Sequence, residues 1–408
     1  MDIWYIILVL LVTARLFSEM ARRFSIPPLA GELVAGIILG IIFNTWSGTF
    51  TELSNLHDNE VFTAITEFGM FFLMLYAGVE LNFKNLKKAS GNAVWVALGG
   101  MLIPLALGMG LGWFTLPESE LKSAQLFFIG VALAITAVPV AIKALMDINL
   151  LNTKEGQTIV SAAVIDDVIS LVLLAVLTAF LKTGEMPGFE GILILIGKII
   201  LFFIITIVVG LYALPYLLKL VSKKINIEES EVSFLLIVAF SFAVLAEALD
   251  LHFILGAFIA GLFFTKREMK KSVYEDVKNK IGAINTGFLA PIFFASIGLS
   301  LELSAFVNIP LFVVALILIA SVGKIIGAGI PAKLSGLSTQ QSLIVGNAMN
   351  ARGAVELIIA DIALRAGLFK LPGDSHIVQN LFSAVVIMAI VTTLVTPIIL
   401  KKLGKRKS

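Results

Sequence analysis

Stretches of roughly 17–25 apolar residues, the length that crosses a hydrocarbon core, follow one another from one end of this chain to the other. About thirteen can be counted, centred near Leu10, Gly36, Phe72, Leu105, Ile135, Ser170, Ile205, Val238, Phe258, Phe293, Leu318, Glu356 and Ile387. The eighth and ninth are parted only by Asp250-Leu251-His252. Hydrophobic residues make up 59% of the chain and charged residues 14%, against roughly 45–50% and about 25% in a soluble domain. No water-soluble fold could bury that excess, so lipid is the solvent and the fold class is an all-α polytopic membrane protein. The first run follows Met1-Asp2-Ile3-Trp4 with no basic lead and no small-residue cleavage signal before Arg15, and reads as a retained helix.

A net charge of +2, without a basic run interleaved with aromatics, gives nucleic acid no footprint. The absence of cysteine removes disulfides and thiolate chemistry. His57, His252 and His376 lie too far apart to read as a zinc site, so no cofactor is expected. Lysine and arginine collect in alternate loops: Arg22-Arg23, Lys84 to Lys88, Lys154, Lys219 to Lys224, Lys266 to Lys280, Lys333 and Lys401 to Lys407. The intervening loops hold little beyond Lys122, Lys182 and Lys370. By the positive-inside rule the N-terminus is outside and the C-terminus cytoplasmic. The longest polar stretch, Lys266 to Asn279, reads as a loop or short surface helix, and no soluble domain is expected.

The two halves share features at an offset of seven segments, which inverts topology. The fifth segment carries Thr136-Ala-Val-Pro139, where proline removes a backbone donor and disfavours helix just before it. The twelfth carries the polar, glycine-containing stretch Asn347 to Gly353. The fourth and eleventh share small-residue spacing at Gly108/Gly112 and Gly323/Gly327. Two inverted repeats with discontinuous fifth and twelfth helices crossing at the midplane are the architecture of many secondary transporters.

Ionisable groups inside a bilayer are costly and therefore mark function. Asp166 and Asp167 sit mid-segment among apolar and small residues, and adjacent helical positions point about 100° apart. One carboxylate can then face a cavity while the other faces a neighbouring helix. Burial and a neighbouring like charge both favour a neutral carboxyl, which can hold a proton or a hard cation but not both. Lys324 lies deep in the eleventh segment and needs a carboxylate partner, for which the aspartate pair is the natural choice. Arg352 and Glu356 have the spacing of a same-face ion pair just after the twelfth-segment break, and read as a structural pair that serves freed backbone groups there. Thr136 and neighbouring carbonyls could offer oxygens to a dehydrated cation, although a membrane threonine more often bonds back to its own helix. Glu32, Glu80 and Glu247 read as interface or packing groups.

The Asp166-Asp167 pair, Pro28 to Gly36, Gly78 to Leu81, Leu255 to Gly261, Pro291 to Gly298 and Arg352 to Leu357 together resemble the monovalent cation:proton antiporter-2 family, through nearly the whole chain. The resemblance implies a homodimer of chains with thirteen helices, multi-pass in a prokaryotic cell membrane. A scaffold would span residues 1–88 and 229–302, a mobile core 89–182 and 303–401, and a linker helix 189–224. It also implies that Asp167 binds the transported ion while Asp166 pairs with Lys324. The double-aspartate form resembles the electrogenic sodium exchangers of the group, whereas the gated potassium members carry a glutamine before the aspartate and a nucleotide-binding domain. The expected activity is therefore exchange of Na⁺ (or Li⁺) for H⁺, two protons per Na⁺, with the second proton on Asp166 or Lys324. Potassium/proton exchange on the same fold is the alternative, and a cation channel a more distant one, since channels build symmetric pores. An intramembrane protease would need its aspartates on two helices, so the chain is not expected to be an enzyme.

Overall fold

The computed structural model describes residues 3–24, 26–45, 59–80, 91–137, 141–142, 145–146, 148, 150–151, 153–183, 189–217, 230–264, 271–370 and 375–404. All regular structure among them is helical. In chain order the helices of ten residues or more are α1 (Ile3–Arg23), α2 (Pro28–Thr45), α3 (Glu60–Glu80), α4 (Gly91–Thr115), α5 (Lys122–Ala134), α6 (Lys154–Thr183) and α7 (Phe189–Val208, continued through a π-helical turn, Val209–Ala213). There follow α8 (Ser230–Ala248), α9 (Phe253–Phe263), α10 (Lys271–Ile284, π-helical over Asn285–Leu289, then Ala290–Leu299), α11 (Pro310–Leu334), α12a (Thr339–Ala348), α12b (Ala354–Arg365) and α13 (Leu381–Gly404). Nine described helices are long and apolar enough to cross a membrane, and α2, α5 and α9 are shorter apolar helices. With α12a and α12b taken as one interrupted crossing, every apolar run in the sequence has its helix.

Two compact units emerge. The first comprises Met1–Phe83 and Gly188–Ser300, and so holds α1–α3 and α7–α10. Its tightest contacts are backbone on backbone. A Cβ on Gly36 of α2 would stand 2.0 Å from the carbonyl oxygen of Ala295 in α10, and one on Gly78 of α3 would stand 2.2 Å from the carbonyl oxygen of Phe258 in α9. An offset of seven carries the α2–α10 pair onto the α9–α3 pair, so the same device recurs in both repeats. Gly36→Ala should therefore force α2 from α10 and cost about 1–3 kcal/mol, read as a lower apparent melting temperature of the purified protein. Gly197→Ala, at a position with nothing within 4 Å of the added Cβ, should leave the melt unchanged.

The stretch read from sequence as a loop or surface helix, Lys266 to Asn279, resolves differently in its described part. From Lys271 the chain is the opening of α10, one helix with the apolar run that follows. Its polar residues have partners on α3: Lys278 pairs with Glu80 at 3.0 Å, and the Tyr274 hydroxyl donates to the Val79 carbonyl at 2.7 Å. Residues 266–270, like Lys84 to Lys88 and Lys219 to Lys224, fall outside the described residues. Of the other carboxylates read as packing groups, Glu32 is buried and Glu247 exposed.

The second unit comprises Lys84–Pro187 and Leu301–Ser408, and so holds α4–α6 and α11–α13. Gly323 and Gly327 of α11 face α4, where a Cβ on Gly327 would stand 2.4 Å from the Gly99 carbonyl oxygen. Gly108 and Gly112 instead face α5, against Gly130 and Leu126. At 13 residues α5 rises only about 20 Å, short of a hydrocarbon core, and leaves helical geometry at Ile135 with ψ 147°. Pro139 itself lies outside the described residues. The chain also leaves helical geometry between α12a and α12b, and there the two broken segments meet.

Candidate functional site

Two interrupted helices at membrane depth leave orphaned carbonyls at the ends of α5 and α12a and orphaned N–H groups at the start of α12b, all of which need partners. The backbones supply one for each other: the Ala137 N–H donates to the Ala351 carbonyl at 2.7 Å. A side chain on Gly353 would collide with Ala137 at 2.6 Å, so this approach needs glycine there. Thr136 does not bond back to its own helix. Its hydroxyl donates to the Met349 carbonyl at 3.0 Å, at the end of α12a.

Arg352 serves the end of α5. One guanidinium nitrogen (Nη1) donates to the carbonyls of Ala132 at 2.6 Å and Ile135 at 2.7 Å, and the other (Nη2) to that of Leu133 at 2.6 Å. This places a cation at the negative end of the α5 dipole. The Thr393 hydroxyl of α13 in turn donates to the Arg352 carbonyl at 2.8 Å. Glu356 stands in the first turn of α12b, where the dipole favours an anion, with its carboxylate 3.9 Å from Arg352 Nε. Both side chains are fully buried.

The aspartates reach this crossing from α6. Asp166 is fully buried and its Oδ2 lies 3.5 Å from Lys324 Nζ of α11, which is also fully buried. Lys324 donates a shorter hydrogen bond, 2.6 Å, to the Thr136 hydroxyl. The lysine thus joins α11, α6 and the break after α5. Asp166 Oδ1 and the Ser170 hydroxyl one turn on have no hydrogen-bond partner among the described residues. Asp167 differs from its neighbour in being partly exposed, as the 100° offset between adjacent positions allows. One carboxylate is locked inward against Lys324, and the other belongs to a residue that is only half-buried.

The site residues named from sequence, Thr136, Asp166, Asp167, Lys324, Arg352 and Glu356, therefore lie on α6, α11, α12b and the segments beside the breaks, linked through Thr136, Lys324 and the crossing backbones. Sequence reasoning did not single out Thr393, nor the bond from the Asn350 amide to the Ser321 hydroxyl at 3.3 Å. Only the polarity of Asn347 to Gly353 hinted at the second.

A hard monovalent cation needs several oxygens and at least one negative charge in place of its water. Asp167, the free oxygen of Asp166 and nearby hydroxyl and carbonyl oxygens have that chemistry, and the same carboxylates accept protons.

Comparison with known proteins agrees with this chemistry. Residues 6–406 match the family model described as sodium/hydrogen exchanger, transmembrane. A Na⁺/H⁺ antiporter of Enterococcus hirae is 31% identical over 401 residues, covering 98% of each chain. The Na⁺/H⁺-K⁺ antiporter GerN of Bacillus cereus is 31% identical over 400 residues, covering 98% of this chain and 96% of that one. Among solved structures, the sodium proton antiporter MjNhaP1 of Methanocaldococcus jannaschii superposes with a TM-score of 0.72 over 98% of this chain and 97% of that one, at 18% identity, which establishes a shared fold. An alignment of that length, over a helical framework with paired intramembrane aspartates at its crossing, makes the chain a member of the transmembrane sodium/hydrogen exchanger family.

Proposed function

We propose that this protein exchanges Na⁺ (or Li⁺) for H⁺ across the membrane by alternating access, electrogenically, with Asp167 as the ion- and proton-binding group. The observation that carries the reading is the asymmetry of the aspartate pair: Asp166 is sealed against Lys324, while Asp167 retains exposure. A carboxylate in that position binds either a cation or a proton, and that competition couples the two fluxes. Asp166 and Thr136 contribute oxygens, Lys324 balances the charge of Asp166, and Arg352 with Glu356 holds the crossing. The unit containing the crossing would be the mobile core (89–182 and 303–401) and the other the scaffold (1–88 and 229–302), joined by the linker helix 189–224. The division into two compact units supports this reading. The protein would work as a homodimer with its N-terminus outside. Potassium is the second candidate cargo, favoured by the kinship with an antiporter named for Na⁺/H⁺-K⁺ exchange.

Reconstitution tests the proposal. In proteoliposomes carrying a pH gradient, Na⁺ or Li⁺ added outside should dissipate the gradient with saturating kinetics, and a clamped diffusion potential should change the rate. Flux that rises linearly with ion concentration and ignores the pH gradient would make the protein a channel. Dissipation by K⁺ but not Na⁺ would shift the cargo.

A further inference from the structure

Trp95 and Trp113 stand near opposite ends of α4, 66% and 63% exposed. They are five full turns apart, so both indoles lie on one stripe of the helix, separated by about 27 Å of rise. That span is within a few ångströms of a hydrocarbon core of roughly 30 Å. The stripe between them is apolar, with Leu102 and Ala106 exposed. α11 runs antiparallel beside it, with Gly327 against Gly99, Gly323 against Pro104 and the Asn92 amide donating to the Ser335 carbonyl at 3.4 Å. It adds a second exposed apolar row, Val314, Leu318, Val322, Ile326 and Ile330. Polar groups begin where the tryptophans stand. Beyond Trp95 come the exposed Asn92 of α4 and Lys333 of α11. Beyond Trp113, the Lys122 ammonium lies 5.1 Å from the indole centroid and pairs with the exposed Glu118 at 2.5 Å. Each indole thus has aliphatic neighbours on one side and charged or hydrogen-bonding ones on the other, the mixed surroundings of the headgroup–acyl boundary of a phospholipid bilayer.

We propose that the α4–α11 face is a lipid-anchoring surface, with Trp95 seated at one boundary of the bilayer and Trp113 at the other, and that the two anchors brake the movement of the unit that carries the ion. The proposal rests on the alternating-access reading above, in which the unit holding α4 and α11 also holds Asp167 and moves. A shift of that unit along the membrane normal drives one indole towards water and the other into hydrocarbon. Both displacements are unfavourable whichever way the unit goes, so the pair opposes movement in either direction. The bilayer is then a partner that sets the pace of exchange, through residues that touch neither ion nor helix crossing.

The experiment has two arms, both on the full chain in phosphatidylcholine vesicles. In the first, variants that keep only Trp95 or only Trp113, with the other tryptophans changed to phenylalanine, are mixed with lipids brominated near the headgroup or near the chain ends. Emission from each should be quenched more strongly by the shallow bromines. Stronger quenching by the deep ones, or none at any depth, which would put the face against protein, overturns the proposal. In the second arm, Na⁺-driven proton flux is measured at saturating Na⁺. Leucine keeps the face apolar but has no preference for the boundary, so the Trp95→Leu/Trp113→Leu variant should exchange faster than wild type, by about three- to tenfold. A merely structural role would slow it. Trp4→Leu, at an exposed tryptophan of the other unit, should leave the rate unchanged. A double variant that is unfolded, or folded and no faster than wild type, overturns the brake, as does an equal acceleration by Trp4→Leu. Wild type without any Na⁺-linked proton flux would instead bring down the exchange reading and the brake with it, and the quenching would still decide separately whether the indoles are anchors.

Discussion

Asp167→Asn should reduce cation-dependent proton movement to the leak of protein-free liposomes while the purified protein stays folded. Asparagine keeps the shape of the side chain and an acceptor oxygen, but its amide neither gives up a proton nor carries the charge that offsets a dehydrated cation. Asp167 is only half-buried, and asparagine matches its size, so the change should cost little stability. The measurement is dequenching of a pH-sensitive dye on addition of Na⁺, with size-exclusion chromatography as the folding control. Near-normal exchange by folded variant protein would remove Asp167 from the ion site.

Arg352→Ala should be the most destabilising single substitution at the site, by about 3–5 kcal/mol, the cost of breaking a buried charged network by removing one partner. Three carbonyls at the end of α5, those of Ala132, Leu133 and Ile135, lose their donors together. Lysine should not rescue the loss, since one ammonium cannot reproduce the planar fork that reaches the carbonyls of Ala132, Leu133 and Ile135 together. Thermal unfolding in detergent should place Arg352→Ala well below Gly36→Ala. If alanine at 352 melts with wild type, the clamp on α5 is dispensable and the crossing is held by the Ala137–Ala351 and Thr136–Met349 bonds alone.

Much of the framework was legible because lipid imposes a coarse rule: apolar length. The runs centred near Leu10 and Leu318 needed nothing else to be read as α1 and α11. The broken helices were legible through local chemistry, a proline after Thr136 and a polar, glycine-containing stretch after Asn347. What spacing could not convey is who answers whom. Arg352 and Glu356 have the separation of an ion pair, yet the shortest bonds of Arg352 go to carbonyls more than two hundred residues earlier. A polar stretch from Lys266 looked detached from the membrane because its partners, Glu80 and the Val79 carbonyl, lie on a distant helix. Membrane threonines usually bond back to their own helix, and only the crossing gives the Thr136 hydroxyl an acceptor on the other broken segment.

The shortness of α9 bears on how the chain is made. Its 11 residues rise about 16 Å, half a hydrocarbon core, and every side chain from Ile254 to Leu262 is covered by protein. A helix enclosed in this way never has to match the thickness of the bilayer, but the insertion machinery meets it before its neighbours have assembled. Alone it is too brief to be recognised as a stop in the membrane. The sharp reversal at Asp250, the one non-glycine residue with positive φ among those described, joins it directly to α8. The two must therefore enter the lipid as a single hairpin, and α9 depends during biogenesis on the helix made just before it.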